Sequence, residues 1–477
     1  MASASHPLDY RYGERVRPIF TEDKWYRYNW EVEAGLARAY SKLGVIRPEV
    51  AAVITKAVDL ADPEKVRKYE KETEHDLQAM VLALGDACRE ICKDTNPELG
   101  AIAAGKIHLG ATSYDIEDNA QLLRIKDAYK IIREQAVIVQ DIFVEKALKY
   151  RNTPCVGRTH GQHAVPMTFG FKFANYANDM QKEIENMDYQ VSRIKGKFSG
   201  AIGAYNSSNK VRTLSGEPVN SQKLEDLVGE ELGIKMEDIS TQVVGRGPYA
   251  GLISALAVTG EILEKYSLEI RELSRTEIRE VREKMGEKQV GSSTMFWKKN
   301  PINTENMGSL VRPLRANTIV AHENVALWHE RDLTNSANER IIIYESFGYL
   351  DEILKRAEKV TTKLEIFPER MLKNLNLTHG LIVGEEVMTE LTNRGMSRQV
   401  AHEMLRKIAM ELDKNETDFI DKLKTIKEVT DLISAEELNK LRPENYIGEA
   451  PDKCIEIAVK LWGKERVREH IEKTEAK

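Results

Sequence analysis

The sequence predicts an all-α protein built around a central bundle of long helices, and three observations support this prediction. Prolines, which break helix interiors, are absent within four stretches of more than 50 residues each. Apolar residues recur along these stretches at alternating spacings of three and four, as on the buried side of a packed helix. Alternating strand patterns are scarce. The four proline-free stretches lie between prolines at positions 97 and 154, 166 and 218, 248 and 301, and 313 and 368.

Two apolar rows show the helical spacing most clearly. The first comprises Met180, Ile184, Met187, Val191 and Ile194. The second comprises Leu263, Tyr266, Ile270 and Leu273, and we expect it to resume after a skip at Ile278, Val281 and Met285. Core packing within one bundle explains any single residue of such a row. Several rows in one chain also indicate more apolar surface than one subunit covers, so we expect an oligomer.

Changes in composition divide the chain into three helical domains. Residues 1–111 are rich in aromatic side chains, including Trp25 and Trp30. Residues 112–364 hold the long helices, and residues 365–477 form a Lys- and Glu-rich helical segment after Pro368. Within the central domain, residues 199–205 and 211–214 suggest one short β-hairpin. Everything else is expected to be helical.

Composition limits the class of protein. A chain of 477 residues is long enough for about three domains. It has 31% charged and 42% hydrophobic residues, without an apolar run of transmembrane length or a readable secretory signal. Its four scattered cysteines favour a reducing, cytoplasmic location and no thiolate metal site. The net charge of -6 argues against nucleic acid as a partner, yet an anionic small molecule needs only a local cluster of cations.

Two glycine-containing segments combine small, polar and cationic residues. Residues 157–163 hold two histidines among glycines, and His160 could be either a structural residue or a proton donor to a nitrogen leaving group. Residues 291–301 form a Gly/Ser-rich loop that we expect to enter a helix near Pro301. The loop is either a linker with an N-cap serine or an anion-binding loop in which Lys298 receives a carboxylate.

Two further segments could bind an anion. Residues 328–340 look helical, which would place Ser336 and Arg340 on one face and Arg331 about a turn and a half earlier. The alternative is a solvated, salt-bridged helix. Residues 72–76 and 108–115 are weaker candidates, since turn capping explains Thr112 and Ser113 equally well.

Taken together, these segments resemble the fumarase/aspartase superfamily of lyases. Residues 291–301 are similar to its GSSxMPxKxNP signature. The resemblance is closest to the adenylosuccinate lyase family and runs in matching order along essentially the whole chain. The matching positions are Arg11 and Tyr12, residues 73–76, residues 157–163, Thr241 and Gln242, residues 328–332, Ser336 and Arg340.

The resemblance implies a fumarase/aspartase-like, all-α subunit of three domains that assembles into a homotetramer with active sites shared between subunits. The implied reactions release fumarate from adenylosuccinate, giving AMP, and from the succinyl-carboxamide aminoimidazole ribotide. The implied partners are therefore small succinyl-nucleotides, with no nucleic acid and no membrane. No cofactor and no metal are implied.

The resemblance also implies roles for individual residues. Ser292 would be the base that removes a proton from the succinyl carbon, and His160 the acid that protonates the leaving nitrogen. Lys298 and Asn300 would stabilise negative charge on the carboxylate, and Glu305 would orient His160. The residues implied in substrate binding are Arg11, Tyr12, His75, Asp76, Thr112, Ser113, Thr159, Gln242, Arg331, Ser336 and Arg340. His163 matches the motif without a catalytic role.

Two segments depart from the family pattern. Phe296 replaces the proline of the signature and Trp297 follows it, which implies a different loop stiffness. Residues 242–248 lack the family's charged pair, so contacts beyond Gln242 do not carry over. Alternative interpretations are another C–N lyase of the superfamily, such as argininosuccinate lyase, or a catalytically silent helical scaffold.

Overall fold

A computed structural model describes residues 6–286, 294–295, 297–412 and 417–475. Helices dominate these residues and only four short strands occur among them, which confirms the predicted all-α class. No helix in the described ranges is both long and apolar enough to cross a membrane. The four cysteines are buried and carry free thiols.

The secondary structure runs from a set of short and medium helices into long ones and back to short ones. The first part contains α1 (Pro7–Tyr10), α2 (Glu22–Lys42), α3 (Pro48–Ala57), α4 (Pro63–Thr73), α5 (Asp76–Cys92) and α6 (Pro97–Ala104). The middle part contains α7 (Ser113–Lys149), β1 (Pro154–Thr159), β2 (Gln162–Thr168), α8 (Phe169–Ser192), α9 (Ser221–Leu232), α10 (Gly247–Leu273), β3 (Val281–Arg282), α11 (Ile302–Glu323), α12 (Ser336–Lys363) and β4 (Glu365–Ile366). The last part contains α13 (Pro368–Leu375), α14 (Gly384–Asn393), α15 (Arg398–Leu412), α16 (Phe419–Leu423), α17 (Lys427–Thr430), α18 (Ala435–Lys440), α19 (Ala450–Trp462) and α20 (Lys464–Glu475).

The long helices predicted from proline spacing are confirmed. The four proline-free stretches hold α7, α8, α10 and α12, which are 37, 24, 27 and 28 residues long. Helix α11, of 22 residues, continues through Pro313, so a proline did not end this helix. Tertiary packing therefore overrides the local penalty of a proline at that position.

The apolar rows face the interior of the chain itself. Met180, Ile184 and Met187 are at most 2% exposed, and Leu263 and Tyr266 are fully buried. These rows are therefore covered within one subunit and are not by themselves a sign of assembly. The expected resumption at 278–285 is wrong as a helix, because α10 ends at residue 273 and a turn leads into β3.

The predicted hairpin at 199–205 and 211–214 is also wrong. In this segment, backbone N–H groups that would pair with a neighbouring strand donate instead to the buried carboxylates of Asp115 and Glu225. The Asp115 carboxylate accepts hydrogen bonds from the backbone N–H groups of Ser199 (3.1 Å) and Gly200 (3.2 Å). Glu225 accepts one from the N–H of Phe198 at 2.6 Å. The antiparallel hairpin lies instead in β1 and β2, which include the segment 157–163, where no strand was expected.

The described chain divides into two compact units. Unit 1 comprises Met1–Gln135, Glu183–Glu261 and Leu310–Ile353. Its core is built largely from α2, α3 and α5. Unit 2 comprises Ala136–Lys182, Ile262–Ser309 and Leu354–Lys477, and one of its cores packs Val156 of β1 against helices α13 to α18. The division into three domains at residues 111 and 364 stays a prediction.

Candidate functional site

A cavity of about 570 Å³ in unit 1 collects most of the candidate binding residues. The first residues of α5, α7 and α12 line it. A helix N-terminus carries a partial positive charge, so three of them around one cavity favour an anionic ligand, although Asp76 and His75 already cap the first N–H groups of α5. The lining also contains five carboxylic side chains, those of Glu70, Glu74, Asp76, Glu117 and Asp332. The candidate residues in its lining are His75, Asp76, Ser113, Gln242, Arg331, Ser336 and Arg340.

Arg331 reaches this cavity from a loop. Residues 324–335 form turns between α11 and α12, so the expectation of a helix around Arg331 is wrong, whereas Ser336 and Arg340 do share the first turns of α12. The cause is Asp332, whose carboxylate accepts hydrogen bonds from the N–H groups of Trp328 and Thr334 at 2.8 Å each. Such side-chain caps compete with helical hydrogen bonds.

The Arg331 guanidinium is held in place while donors remain available. It lies 3.7 Å from the ring centroid of Tyr114 and donates a hydrogen bond of 2.9 Å to the side-chain oxygen of Gln242. Its Nε and Nη2 groups have no hydrogen-bond partner within the described part of the chain. These free donors suit a carboxylate or phosphate acceptor.

Arg340 forms an ion pair with Asp76 at the opening of α5. The distance from Arg340 Nη2 to Asp76 Oδ2 is 2.6 Å. Burial alone would raise the pKa of Asp76, but the hydrogen bond and charge of Arg340 outweigh it, so the pKa is lowered. Asp76 therefore remains ionised and orients Arg340, half of whose side chain is exposed.

Other candidates in unit 1 have local structural contacts. His75 is the N-cap of α5, and its Nδ1 accepts a hydrogen bond from the N–H of Gln78 at 3.3 Å. The N–H of Thr112 donates to the carboxylate of Asp115 at 2.9 Å. Thr112, Arg11 and Tyr12 are not among the described residues that line the cavity.

Glu117 is a cavity residue that the sequence did not single out. It lies one turn into α7, is 7% exposed and lines the cavity beside Ser113 and Arg340. Burial and the nearby charge of Asp76 raise the pKa of Glu117 to about 8, although Arg340 opposes the shift. The carboxyl group of Glu117 is therefore protonated, and so uncharged, at pH 7.

Replacing Glu117 with glutamine is expected to make stability less sensitive to pH. Between about pH 4.5 and pH 8 the folded chain keeps a proton that the unfolded chain releases, so the free energy of unfolding falls as pH rises. The amide of a glutamine carries no such proton. At about pH 9, we expect the free energy of unfolding measured in urea to be higher for E117Q than for the wild type. The expected difference is at least about 1.4 kcal/mol, which corresponds to one pKa unit. Near pH 4 the gain should vanish, and an equal gain at both pH values would contradict the raised pKa.

His160 stands at the tip of the β1–β2 hairpin in unit 2. Thr159 pairs with Gln162 across the two-residue turn of His160 and Gly161, whose φ angles are 55° and 75°. Positive φ at both central residues is what a two-residue hairpin turn of type I′ requires, and glycine adopts it freely while histidine tolerates it. Thr159, His160 and Gly161 are exposed, so the imidazole is accessible to a ligand.

Arg158 anchors the base of this hairpin turn. It forms a forked ion pair with the fully buried Glu280, at 2.6 Å and 3.2 Å, and Asn374 donates to the same carboxylate at 2.9 Å. Burial and the positive charge of Arg158 lower the pKa of His163. His163 is therefore neutral at pH 7.

The signature loop is described only in part. Ser292 lies outside the described residues, as does Phe296. Lys298 is exposed, and Asn300 lies two residues before α11. Glu305 occupies the first turn of α11, and among the described residues no hydrogen bond or ion pair joins it to His160 or Lys298.

Glu283 connects the two ends of the signature loop, and the sequence offered no signal for this role. Its carboxylate, 5% exposed, accepts hydrogen bonds from the N–H groups of Asn303 (3.1 Å) and Thr304 (2.8 Å). It also accepts one from the hydroxyl of Thr304 at 2.7 Å. A residue that precedes the loop thus caps the helix that follows it, which fixes the positions where the loop begins and ends.

A glutamine at position 283 is expected to destabilise unit 2. The amide would set an NH₂ group against backbone N–H and hydroxyl donors, at a cost of about 1–3 kcal/mol. Thermal unfolding of E283Q measures this loss. E277Q, which changes an exposed glutamate before β3, is the matched control and should unfold like the wild type. Equal stability of E283Q and E277Q would show that the capping bonds contribute nothing.

Comparisons with known proteins show the family to which the chain belongs. The family profile described as Lyase matches residues 8–312, and the profile described as Adenylosuccinate lyase C-terminus matches residues 380–455. The chain is 44% identical to the adenylosuccinate lyases of Pyrococcus horikoshii and Pyrococcus abyssi, and each comparison covers 94% of this chain and 96% of the relative. The crystal structure of a fumarate lyase from Mesorhizobium sp. BNC1 superposes with a TM-score of 0.82 at 27% identity, covering 93% of this chain and 97% of that one. The chain belongs to the adenylosuccinate lyase family of the fumarase/aspartase superfamily.

Proposed function

We propose that this chain splits adenylosuccinate into AMP and fumarate, and releases fumarate likewise from the succinyl-carboxamide aminoimidazole ribotide in purine nucleotide biosynthesis. The observation that carries the proposal is the full-length similarity to adenylosuccinate lyases. The unit 1 cavity supports it, because three helix N-termini and two arginines suit a substrate that bears a phosphate and two carboxylates.

The reaction is a β-elimination that breaks a C–N bond. Ser292 takes the proton from the carbon next to the succinyl carboxylate, and the electron pair left on that carbon is stabilised as an aci-carboxylate. Lys298 and Asn300 stabilise the negative charge that develops there. The C–N bond then breaks, a C=C bond forms, and His160 gives its proton to the departing nitrogen. Glu305 orients the imidazole of His160.

Substrate recognition falls to the remaining candidates. Arg331, Ser336, Arg340, His75 and Asp76 hold the nucleotide and its phosphate, and their common cavity supports this assignment. Arg11 and Tyr12 serve the same end of the substrate. The succinyl part and the base contact Thr112, Ser113, Thr159 and Gln242.

An ultraviolet assay with three substrates tests the function. Adenylosuccinate should be consumed with the release of fumarate, whereas argininosuccinate should not react. Absence of turnover of both succinyl-nucleotides would reject the proposal, and turnover of argininosuccinate alone would assign the chain to a different lyase.

Arg340 should contribute more to binding than to chemistry. We expect R340Q to raise KM for adenylosuccinate by about 10- to 100-fold, the loss of one charge-assisted hydrogen bond, with a smaller change in kcat. Arg67, a partly exposed arginine of unit 1 that pairs with Glu22 and Asp23, supplies the control R67Q, which should leave KM unchanged. A large loss of kcat at constant KM would assign Arg340 to the chemical step instead.

The working form is proposed to be a homotetramer with shared active sites. Exposed apolar residues on two long helices support assembly, namely Val258 (37%) and Leu268 (48%) on α10 and Ile319 (67%) on α11. Such residues are usually covered in obligate assemblies. Light scattering at micromolar concentration measures the mass, and a monomer would contradict the assembly. A cytoplasmic location is proposed as well, supported by the four free thiols.

A further inference from the structure

Three polar residues without an assigned role form a column on α7. Glu117, Gln121 and Arg124 occupy positions i, i+4 and i+7, so they share one face of the helix. Each is at most 9% exposed. All three line a second cavity of unit 1, of about 260 Å³, whose wall also includes Phe20 and Trp25.

Arg124 is buried in this cavity without a counter-ion. Within the described residues it forms no salt bridge, and its guanidinium lies 4.5 Å from the ring of Trp25 and 5.1 Å from that of Phe20. It donates one hydrogen bond, to the side-chain oxygen of Gln121. Burial lowers the pKa of Arg124 to about 10. A buried guanidinium is costly when no anion compensates its charge.

Arg246, on the wall of the same cavity, shows the usual arrangement. It pairs with Asp118 at 2.8 Å and with Glu339 at 2.9 Å. The contrast makes Arg124 the uncompensated cation of the two. Two buried donors have no hydrogen-bond partner in the ranges that the structure describes. They are Nε of Arg124 itself and Nε2 of the neighbouring Gln121.

The chemistry of the cavity selects an acceptor. Its buried groups without a partner are donors. Four acidic side chains also line it, but Glu22 pairs with Arg67, Asp118 and Glu339 pair with Arg246, and burial keeps Glu117 protonated. None of them compensates the charge of Arg124, which therefore calls for a negative ligand. The space is smaller than the cavities that usually hold drug-sized ligands, so it suits one tetrahedral oxyanion and not a whole nucleotide. The two cavities share Tyr114, Glu117, Ser336 and Arg340 as lining residues.

We propose that this second cavity is an oxyanion subsite, in which Arg124 and Gln121 bind a phosphate group beside the nucleotide site. The phosphate is either free in solution or that of the nucleotide, which would then lie between Arg124 and the residues Ser336 and Arg340 that line both cavities. Binding does not depend on the proposed reaction. Only the choice between these two sources rests on the proposed function.

Calorimetric titration of the full-length chain with inorganic phosphate tests the subsite, with chloride at equal ionic strength as reference. R124M keeps an aliphatic side chain between Phe20 and Trp25 and should bind phosphate at least tenfold more weakly than the wild type. The matched control is R133M, which removes an exposed arginine from the same helix, where it pairs with Asp188. R133M should bind phosphate like the wild type.

A second variant guards against misfolding of R124M. Q121L removes one orphaned donor without touching the charge, and a several-fold loss of phosphate affinity is expected. Wild-type affinity in both R124M and Q121L would overturn the proposal and leave Arg124 a packing residue held by aromatic rings. Failure of the wild type to bind phosphate at millimolar concentration would overturn it too.

Competition with AMP identifies the source. If the subsite takes the phosphate of the nucleotide, AMP displaces inorganic phosphate, adenosine does not, and R124M raises KM for adenylosuccinate. If it takes free phosphate, phosphate and AMP bind together and R124M leaves KM unchanged. Either result supports the subsite. A chain that binds phosphate through Arg124 but turns over neither succinyl-nucleotide would disprove the proposed function alone.

Discussion

H160A is expected to lower kcat by about 10²- to 10⁴-fold with little change in the affinity for adenylosuccinate. A general acid contributes this much when it protonates a poor leaving group, and the departing nitrogen needs such a proton. The exposed position of His160 at the tip of the β1–β2 turn leaves the fold independent of its imidazole. Steady-state kinetics measure the loss, and near-wild-type kcat would reject the role of acid.

The backbone at position 160 requires a second variant. Its φ of 55° disfavours alanine, so H160A could perturb the turn as well as remove the acid. H160N keeps a residue that tolerates this conformation but cannot donate a proton at neutral pH. Equal inactivity of H160A and H160N, with unchanged unfolding temperatures, supports proton donation. Activity in H160N would mean that the turn, and not the imidazole, is what the reaction needs.

S292A is expected to reduce kcat to a similar degree, because the reaction cannot begin until a base takes the succinyl proton. The expected loss is about 10²- to 10⁴-fold, as for other general bases. Ser292 lies outside the described residues, and the prediction rests on its place in the signature loop. Circular dichroism should show an intact fold, since the loop ends are held independently by Glu283.

The neighbouring serine supplies the control for Ser292. S293A changes the second serine of the same signature and should retain most of the activity, because the family pattern assigns the base to the first. Inactivity of S293A with an active S292A would exchange the two roles. Loss of activity in both, to the same extent, would indicate that the loop and not one hydroxyl is required.

Part of the candidate site could be predicted because its signals are local. The helices α7, α8, α10 and α12 follow from proline spacing and apolar periodicity, which act within a few residues. Ser336 and Arg340 were placed correctly on one helical face for the same reason. Three separate family motifs pointed to residues that line one cavity, namely Gln242, Arg331 and His75.

Other parts of the site depend on contacts between distant residues. The hairpin with His160 and the loop with Arg331 were expected to have other conformations. Glu280 holds the hairpin through its ion pair with Arg158, and Asp332 holds the loop by accepting backbone hydrogen bonds. Glu117 and Arg124 looked like ordinary charges on a helix, since nothing in the neighbouring sequence marks them as buried.

The sequence by itself determined the helical class, the long helices and the residues that match the family, because local propensity and motif spacing are properties of short segments. The tertiary structure alone decided which charged side chains are buried away from solvent. Asp115, Glu283 and Arg124 are separated from solvent by residues far away in the chain, and only burial makes their hydrogen bonds, or the lack of them, energetically important. The charge of Arg124 was visible in the sequence, but the absence of a counter-ion among the described residues became visible only in the folded chain.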